Sequence, residues 1–184
     1  MEHVKMQYDH MIREVAEVED AGATRKHGRG ERREDYPDAW ADTGRIILVG
    51  LPGSNRALLA GLLAERTGLG AVRPADGGEA LAALAGPPAI IILDDALVAD
   101  QDIQPRIHGA GKVFYLMVDS RTLAQRTTKA ESGLETGDVE QAWRELSARL
   151  AVMEPVFYGV LHFILQGANP PEALVEDALE KIAY

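Results

Sequence analysis

An α/β protein with a central parallel sheet is what this sequence predicts, on three observations. Short, almost wholly apolar runs recur along the chain, as expected of strands buried on both faces. Segments with apolar residues at helical spacing alternate with them. The first run leads through a glycine-bearing turn straight into a helix, the strand–turn–helix order of a parallel βαβ unit.

The 184-residue chain suits one domain with an added segment. Residues 1–44 differ in composition from residues 45–184. Val4, Tyr8, Met11, Ile12, Val15 and Val18 share one face of an expected amphipathic helix over residues 3–20. Ala21 to Gly44 holds four glycines, one proline and many charges, and reads as a linker. Its basic residues Arg25, Lys26, Arg29, Arg32 and Arg33 are diluted by Glu31, Glu34 and Asp35. An isolated amphipathic helix of this length is marginal in water. Its stripe therefore has to pack on the domain, on a protein partner, or on its copy in a homodimer. The last two are favoured.

The core begins with a strand over Arg45–Val49. A helix over Leu58–Thr67 follows, with Leu58, Leu59, Leu62 and Leu63 on one face. Gly68–Val72 holds a weak second strand and Glu79–Leu84 a short helix. Ala89–Leu93 is the third strand, ending at Asp94-Asp95, and Ile103–Gly109 a helix. Lys112–Val118 is the fourth strand. Thr122–Lys129 and Val139–Met153 read as helices, Gly159–Leu165 as the last strand, and Pro171–Ala183 as a closing helix begun by proline.

Composition narrows the partners. A hydrophobic fraction of 46% is ordinary for a globular protein with a real core. A net charge of -10 argues against nucleic acid and anionic membranes as partners. With no cysteine there is no disulfide, thiolate nucleophile or cysteine-held metal. The N-terminus has no apolar signal core, and no apolar run is long enough to span a bilayer. A cytoplasmic protein is the expectation.

Ligands of open parallel sheets sit beyond the carboxyl ends of the strands, which directs attention to Gly50-Leu51-Pro52-Gly53-Ser54-Asn55-Arg56-Ala57. A Walker A loop reads G-x-x-x-x-G-K-[ST] between strand and helix. Its glycines let the backbone approach phosphate, its amides and the helix dipole hold the anion, its Lys reaches the terminal phosphates and its hydroxyl binds magnesium. Here Gly50 stands at the first glycine and Gly53 adds flexibility. Asn55 replaces the second glycine and tolerates positive φ. Arg56 replaces the Lys, with a planar fork where a compact ammonium belongs. Ala57 replaces the Ser/Thr. A glycine-containing βα turn with no phosphate role is the alternative. Losing one preorganised charge contact costs about 100-fold or more in rate, so two losses argue against phosphoryl transfer.

Ile90-Ile91-Ile92-Leu93-Asp94-Asp95 fits a Walker B pattern, in which Asp94 would hold magnesium through water; a solvated strand end or helix cap is the alternative. The histidines have no metal-ligand spacing. His162 reads as a satisfied residue within the last strand. Ser54 lacks a G-x-S-x-G context and a visible His or Asp partner, so no nucleophile is assigned.

Two segments resemble the shikimate kinases. Ile46 to Gly70, IILVGLPGSNRALLAGLLAERTGLG, is similar to that family's opening strand, GxxGxGKS/T loop and helix. From Val113 to Tyr184, VFYLMVDSRTLAQRT is similar to the fourth strand and the following L-x-x-R-T helix. WRELSARLAVMEPVFYGVLHFIL is similar to the helix with R-x-P-L-Y that leads into the last strand, and PPEALVEDALEKI to the closing helix.

The resemblance implies a three-layer P-loop fold of the nucleoside-monophosphate-kinase type, with a five-stranded parallel sheet in order 2-3-1-4-5. It implies ATP with magnesium, and phosphorylation of shikimate. Arg126 matches an arginine that faces the nucleotide in that family. Other family residues have no counterpart. Only Asp76 could match the acidic pair after the second strand, no glycines follow the third, and Met153 holds the position of a substrate arginine. The lid arginine would lie near Ser132-Gly133-Leu134, and the shikimate-binding stretch is much shortened.

The resulting expectation is a non-catalytic relative with no catalytic residues. It binds a nucleotide or simple phosphate through Gly50, Gly53, Ser54, Asn55, Arg56, Ala57 and Arg126, or a protein partner, with ATP or ADP and magnesium as candidate cofactors and no cofactor as the other option. An active ATP-dependent phosphotransferase with an altered site is the alternative.

Overall fold

A computed structural model describes residues 42–130 and 136–183. The expected helix over residues 3–20, the stretch to residue 41 and the lid-equivalent Ser132-Gly133-Leu134 lie outside the described residues.

Among the described residues, twelve elements follow one another. They are β1 (Ile46–Val49), α1 (Arg56–Thr67), β2 (Ala71–Val72), α2 (Gly77–Ala85), β3 (Ile90–Ile92), α3 (Asp95–Val98), α4 (Gln104–Ala110), β4 (Lys112–Met117), α5 (Ser120–Ala130), α6 (Thr136–Val160), β5 (Phe163–Gln166) and α7 (Pro171–Ile182). The strands form one all-parallel sheet in the order β2-β3-β1-β4-β5, as expected. β1 is central, with Ile47 opposite Ile91 on one side and Val113 on the other.

Alternation along the strands divides the core into two layers. Ile47, Val49, Ile91, Val113 and Tyr115 face the layer that receives Leu84, Ile107, Leu123, Met153 and Phe157 from α2, α4, α5 and α6. Ile46, Leu48, Ile90, Ile92, Phe114 and Leu116 face Leu59 and Leu63 of α1 and Leu174, Val175 and Ala178 of α7. The inner strands are apolar on both faces because both are covered. β2 is an exposed edge strand of two residues, which explains its weak signal.

The structure departs from the sequence reading at the far end of the chain. Gly159 and Val160 belong to α6, and β5 starts at Phe163. Leu146, Met153, Phe157 and Val160 are all buried and recur at helical spacing, so the apolar stripe carries the helix past Pro155. Pro155 itself is exposed. The short α3 was not anticipated. Among the described residues no helix is long and apolar enough to cross a membrane.

His162 precedes β5 instead of lying within it. Its Nδ1 accepts a hydrogen bond from the Val113 amide at 3.1 Å, and its ring stacks on His108 with centroids 4.1 Å apart. Burial first, and the neighbouring His108 second, lower its pKa from 6.5 to about 4. As the pH falls below about 6.5, the unfolded chain therefore takes up a proton before the folded one. Stability is expected to be full above about pH 6.5 and to fall toward pH 4. The slope should lie under about 1.4 kcal/mol per pH unit because the ring is only partly buried. Urea midpoints across this range should fall less steeply in His162→Gln than in the wild type. Equal slopes would remove His162 from the account.

Candidate phosphate-binding site

The turn between β1 and α1 lies at the carboxyl end of the central strand. Its backbone has the features of an anion cradle. Gly50 and Gly53 take φ 151° and 84°, and the Ser54 amide closes a tight turn onto the Leu51 carbonyl at 3.2 Å. A side chain would be strained at either glycine. A Cβ on Gly50 would lie 2.9 Å from Ser54 Oγ, and one on Gly53 would lie 3.1 Å from the Leu123 carbonyl. Asn55 caps α1 with φ 67° and ψ 24°, in the left-handed region where Walker A has a glycine. Asn is among the few side chains that accept this conformation at low cost.

The loop borders an open cavity of about 300 Å³, lined by Pro52 through Leu58 together with Arg73 and Ile92. That is the lower end of the range for small-molecule sites. The amino end of the twelve-residue α1 opens onto it. Ser54 is buried, and its Oγ has no hydrogen-bond partner among the described residues.

The cations around the loop are already engaged. Arg56 is 6% exposed and donates through Nη1 to the Leu93 carbonyl, while Nη2 lies 3.3 Å from Asp94 Oδ1. Burial pushes its guanidinium below its ordinary pKa, and the charges of Asp94 and Asp95 oppose that shift. An arginine stays protonated through such a change. Asp94 also receives Arg73, whose Nη2 lies 2.9 Å from Oδ1 and whose Nε donates to Oδ2 at 3.3 Å. One carboxylate therefore binds two guanidiniums.

Arg126, on α5, sits beside the loop. Its Nη1 donates to the Gly53 carbonyl at 3.2 Å and the Gly167 carbonyl at 2.8 Å, tying the loop to the turn after β5. Ala57 is exposed on the first turn of α1 and offers no hydroxyl. Thus Gly50, Gly53, Ser54, Asn55, Arg56, Ala57 and Arg126 converge on one place, with Asp94 next to Arg56.

Magnesium does not fit this arrangement. The residue at the hydroxyl position is alanine, and the Asp94 carboxylate is already shared by two cations. Among the described residues no group of three or more His, Cys, Asp or Glu could hold a metal ion.

Other positions singled out in the sequence have structural duties. Asp76 Oδ1 accepts from the Glu79 amide at 2.9 Å and caps α2, while Glu79 accepts from the Ala75 amide at 2.8 Å. Met153 is a core residue. Asp95 is buried and paired with Arg149 of α6 at 2.5 Å. Arg73 went unnoticed in the sequence. Its signal was a lone cation directly after a weak strand, and nothing local ties it to an acid 21 positions away.

No protein-family model matches the chain, and no curated protein does. Solved structures do. Shikimate kinase from Bacteroides thetaiotaomicron matches with TM-score 0.66 at 14% identity, over 76% of this chain and 98% of its own. Shikimate kinase from Acinetobacter baumannii, solved in complex with shikimate, matches with TM-score 0.61 at 18% identity, over 76% of this chain and 92% of its own. A gluconokinase from Sinorhizobium meliloti matches with TM-score 0.54 at 15% identity, over 77% and 92%. This chain therefore has the fold of the shikimate kinases and related P-loop kinases.

Proposed function

We propose that this protein is a catalytically degenerate relative of the shikimate kinases that binds a phosphate-bearing anion, most simply a nucleotide, at the β1–α1 loop without transferring the phosphoryl group. The observation that carries this reading is the position of Arg56. The one cation at the Walker lysine position is buried, hydrogen-bonded to Leu93 and paired with Asp94, so it does not project into the loop. The acid at the Walker B position is correspondingly engaged by arginines.

Phosphoryl transfer depends on positioning and on charge stabilisation by Lys and metal. Arginine and alanine stand at the lysine and hydroxyl positions here, whereas the glycine-shaped backbone and helix terminus remain. The connection from β2 to β3 is also reduced to α2 and its turns. A region of that size supports little recognition of a second substrate. Arg126 acts in this reading as a brace for the loop, and its unengaged guanidinium N–H groups are available to an anion.

Isothermal calorimetry with ATP tests the proposal. Binding should be equal with magnesium and with EDTA, and ADP should not accumulate. Magnesium-dependent tightening accompanied by ADP release would favour an active phosphotransferase instead. No binding at millimolar ATP would exclude the nucleotide.

A further inference from the structure

Arg73 lines the loop cavity with its side chain 58% exposed, yet its guanidinium is turned onto Asp94 through both Nη2 and Nε. Asp94 is about one-third exposed and also receives the buried Arg56. An aspartate carboxylate and a phosphate oxygen pair present the same chemistry to an arginine fork. The cavity wall therefore includes an exposed cation that is held by a neighbouring carboxylate. Ser54 Oγ, buried in the same loop without a partner, is a second polar group not used by the fold.

We propose that Arg73 is the anion-clamping residue of this site and that Asp94 competes for it, so that a diphosphate group enters without metal by drawing Arg73 off Asp94. This rests on the reading of the loop as a non-catalytic anion site. Arg56 remains on Leu93 and Asp94 as the fixed part, and Arg73 is the part that moves. Arg73 also stands directly after the second strand and brings positive charge to that end of the cavity.

A double-mutant cycle tests the coupling. Binding of inorganic pyrophosphate, and separately of ADP, would be measured by calorimetry in EDTA for the wild type, Asp94→Asn, Arg73→Gln and the double variant. Asp94→Asn keeps the shape and one acceptor for Arg56, and Arg73 is exposed, so both variants should fold; circular dichroism melts check this. Asp94→Asn is expected to tighten both ligands about tenfold, and Arg73→Gln to weaken both about tenfold. In the Arg73→Gln background most of the Asp94→Asn gain should vanish.

An undiminished gain in that background would mean that Asp94 acts by simple repulsion, and the competition for Arg73 would be refuted. Wild-type binding that neither variant alters would also refute it while leaving the anion site standing. If none of the four proteins binds pyrophosphate or ADP, the anion reading itself fails.

Discussion

Restoring the loop with Asn55→Gly, Arg56→Lys and Ala57→Ser in one variant is expected to tighten magnesium-ATP binding about 100-fold, near 2.7 kcal/mol. Two charge-assisted contacts at roughly 1.5 kcal/mol or more each account for that size. A lysine lacks the fork that lets Arg56 bond Leu93 and Asp94 together, so its ammonium is free to turn into the loop. The serine returns the metal hydroxyl, and glycine at position 55 relieves a non-glycine residue from φ 67°. Shikimate phosphorylation by this variant is expected to be undetectable, because the β2–β3 connection holds only α2. Calorimetry and a coupled ADP-release assay measure the two effects. An unchanged affinity would show that the loop substitutions are not what limits nucleotide binding. Shikimate turnover would show that the short connection suffices for the substrate.

Phe157→Ala is expected to cost about 3–5 kcal/mol, the range for deleting a fully buried aromatic ring. Phe157 is 0% exposed and stacks on Tyr115 of β4 at 4.9 Å between centroids. The same packing buries the Tyr115 phenol, and burial, with Glu154 and Tyr158 as smaller contributions, raises its pKa to about 12. Phe157 follows Pro155 within α6, where the helix lacks one backbone donor, so tertiary packing has to hold that stretch. At roughly 2–4 °C per kcal/mol for a domain of this size, the melting temperature should fall by roughly 6–20 °C. A fall of a degree or two would mean that α6 closes over the gap, and that its last turns carry less of the core than their burial indicates.

Most of the fold was legible because burial on both sheet faces leaves a strong mark on sequence. Ile46–Val49, Ile90–Ile92 and Lys112–Met117 are short, apolar and bounded by turns. The edges were less clear. Ala71–Val72 is exposed and has no pattern to show. The start of β5 was placed too early because Gly159 and Val160 look equally like strand residues. Only the burial of Phe157 and Val160 against the sheet makes them helical.

The loop was legible for a different reason. Its glycines and its flanking strand and helix are local, and Asn55 adopts the left-handed backbone that its residue type permits. The directions of the side chains around it were not. Arg56 could point toward the loop or away from it, and the choice depends on Asp94 and the Leu93 carbonyl, brought alongside by β1–β3 pairing. An acid that ends an apolar strand reads equally as a water-mediated magnesium ligand, a solvated strand end or a helix cap, and the sequence does not choose among them for Asp94. In the fold it stands between two arginines, one of them from the turn after β2. Arg126 was read as facing a nucleotide, and it also braces two backbone carbonyls that no sequence pattern pairs.

The central claim is that the cradle outlived the chemistry. Phosphorus NMR of ATP with magnesium, followed over hours with the protein near stoichiometric, tests both halves at once. The claim predicts broadening or shifting of the β- and γ-phosphate signals by the wild-type protein, with no growth of ADP or inorganic phosphate signals above a protein-free control. Steady conversion of ATP over several turnovers, or phosphate signals identical to those of free ATP, would contradict it.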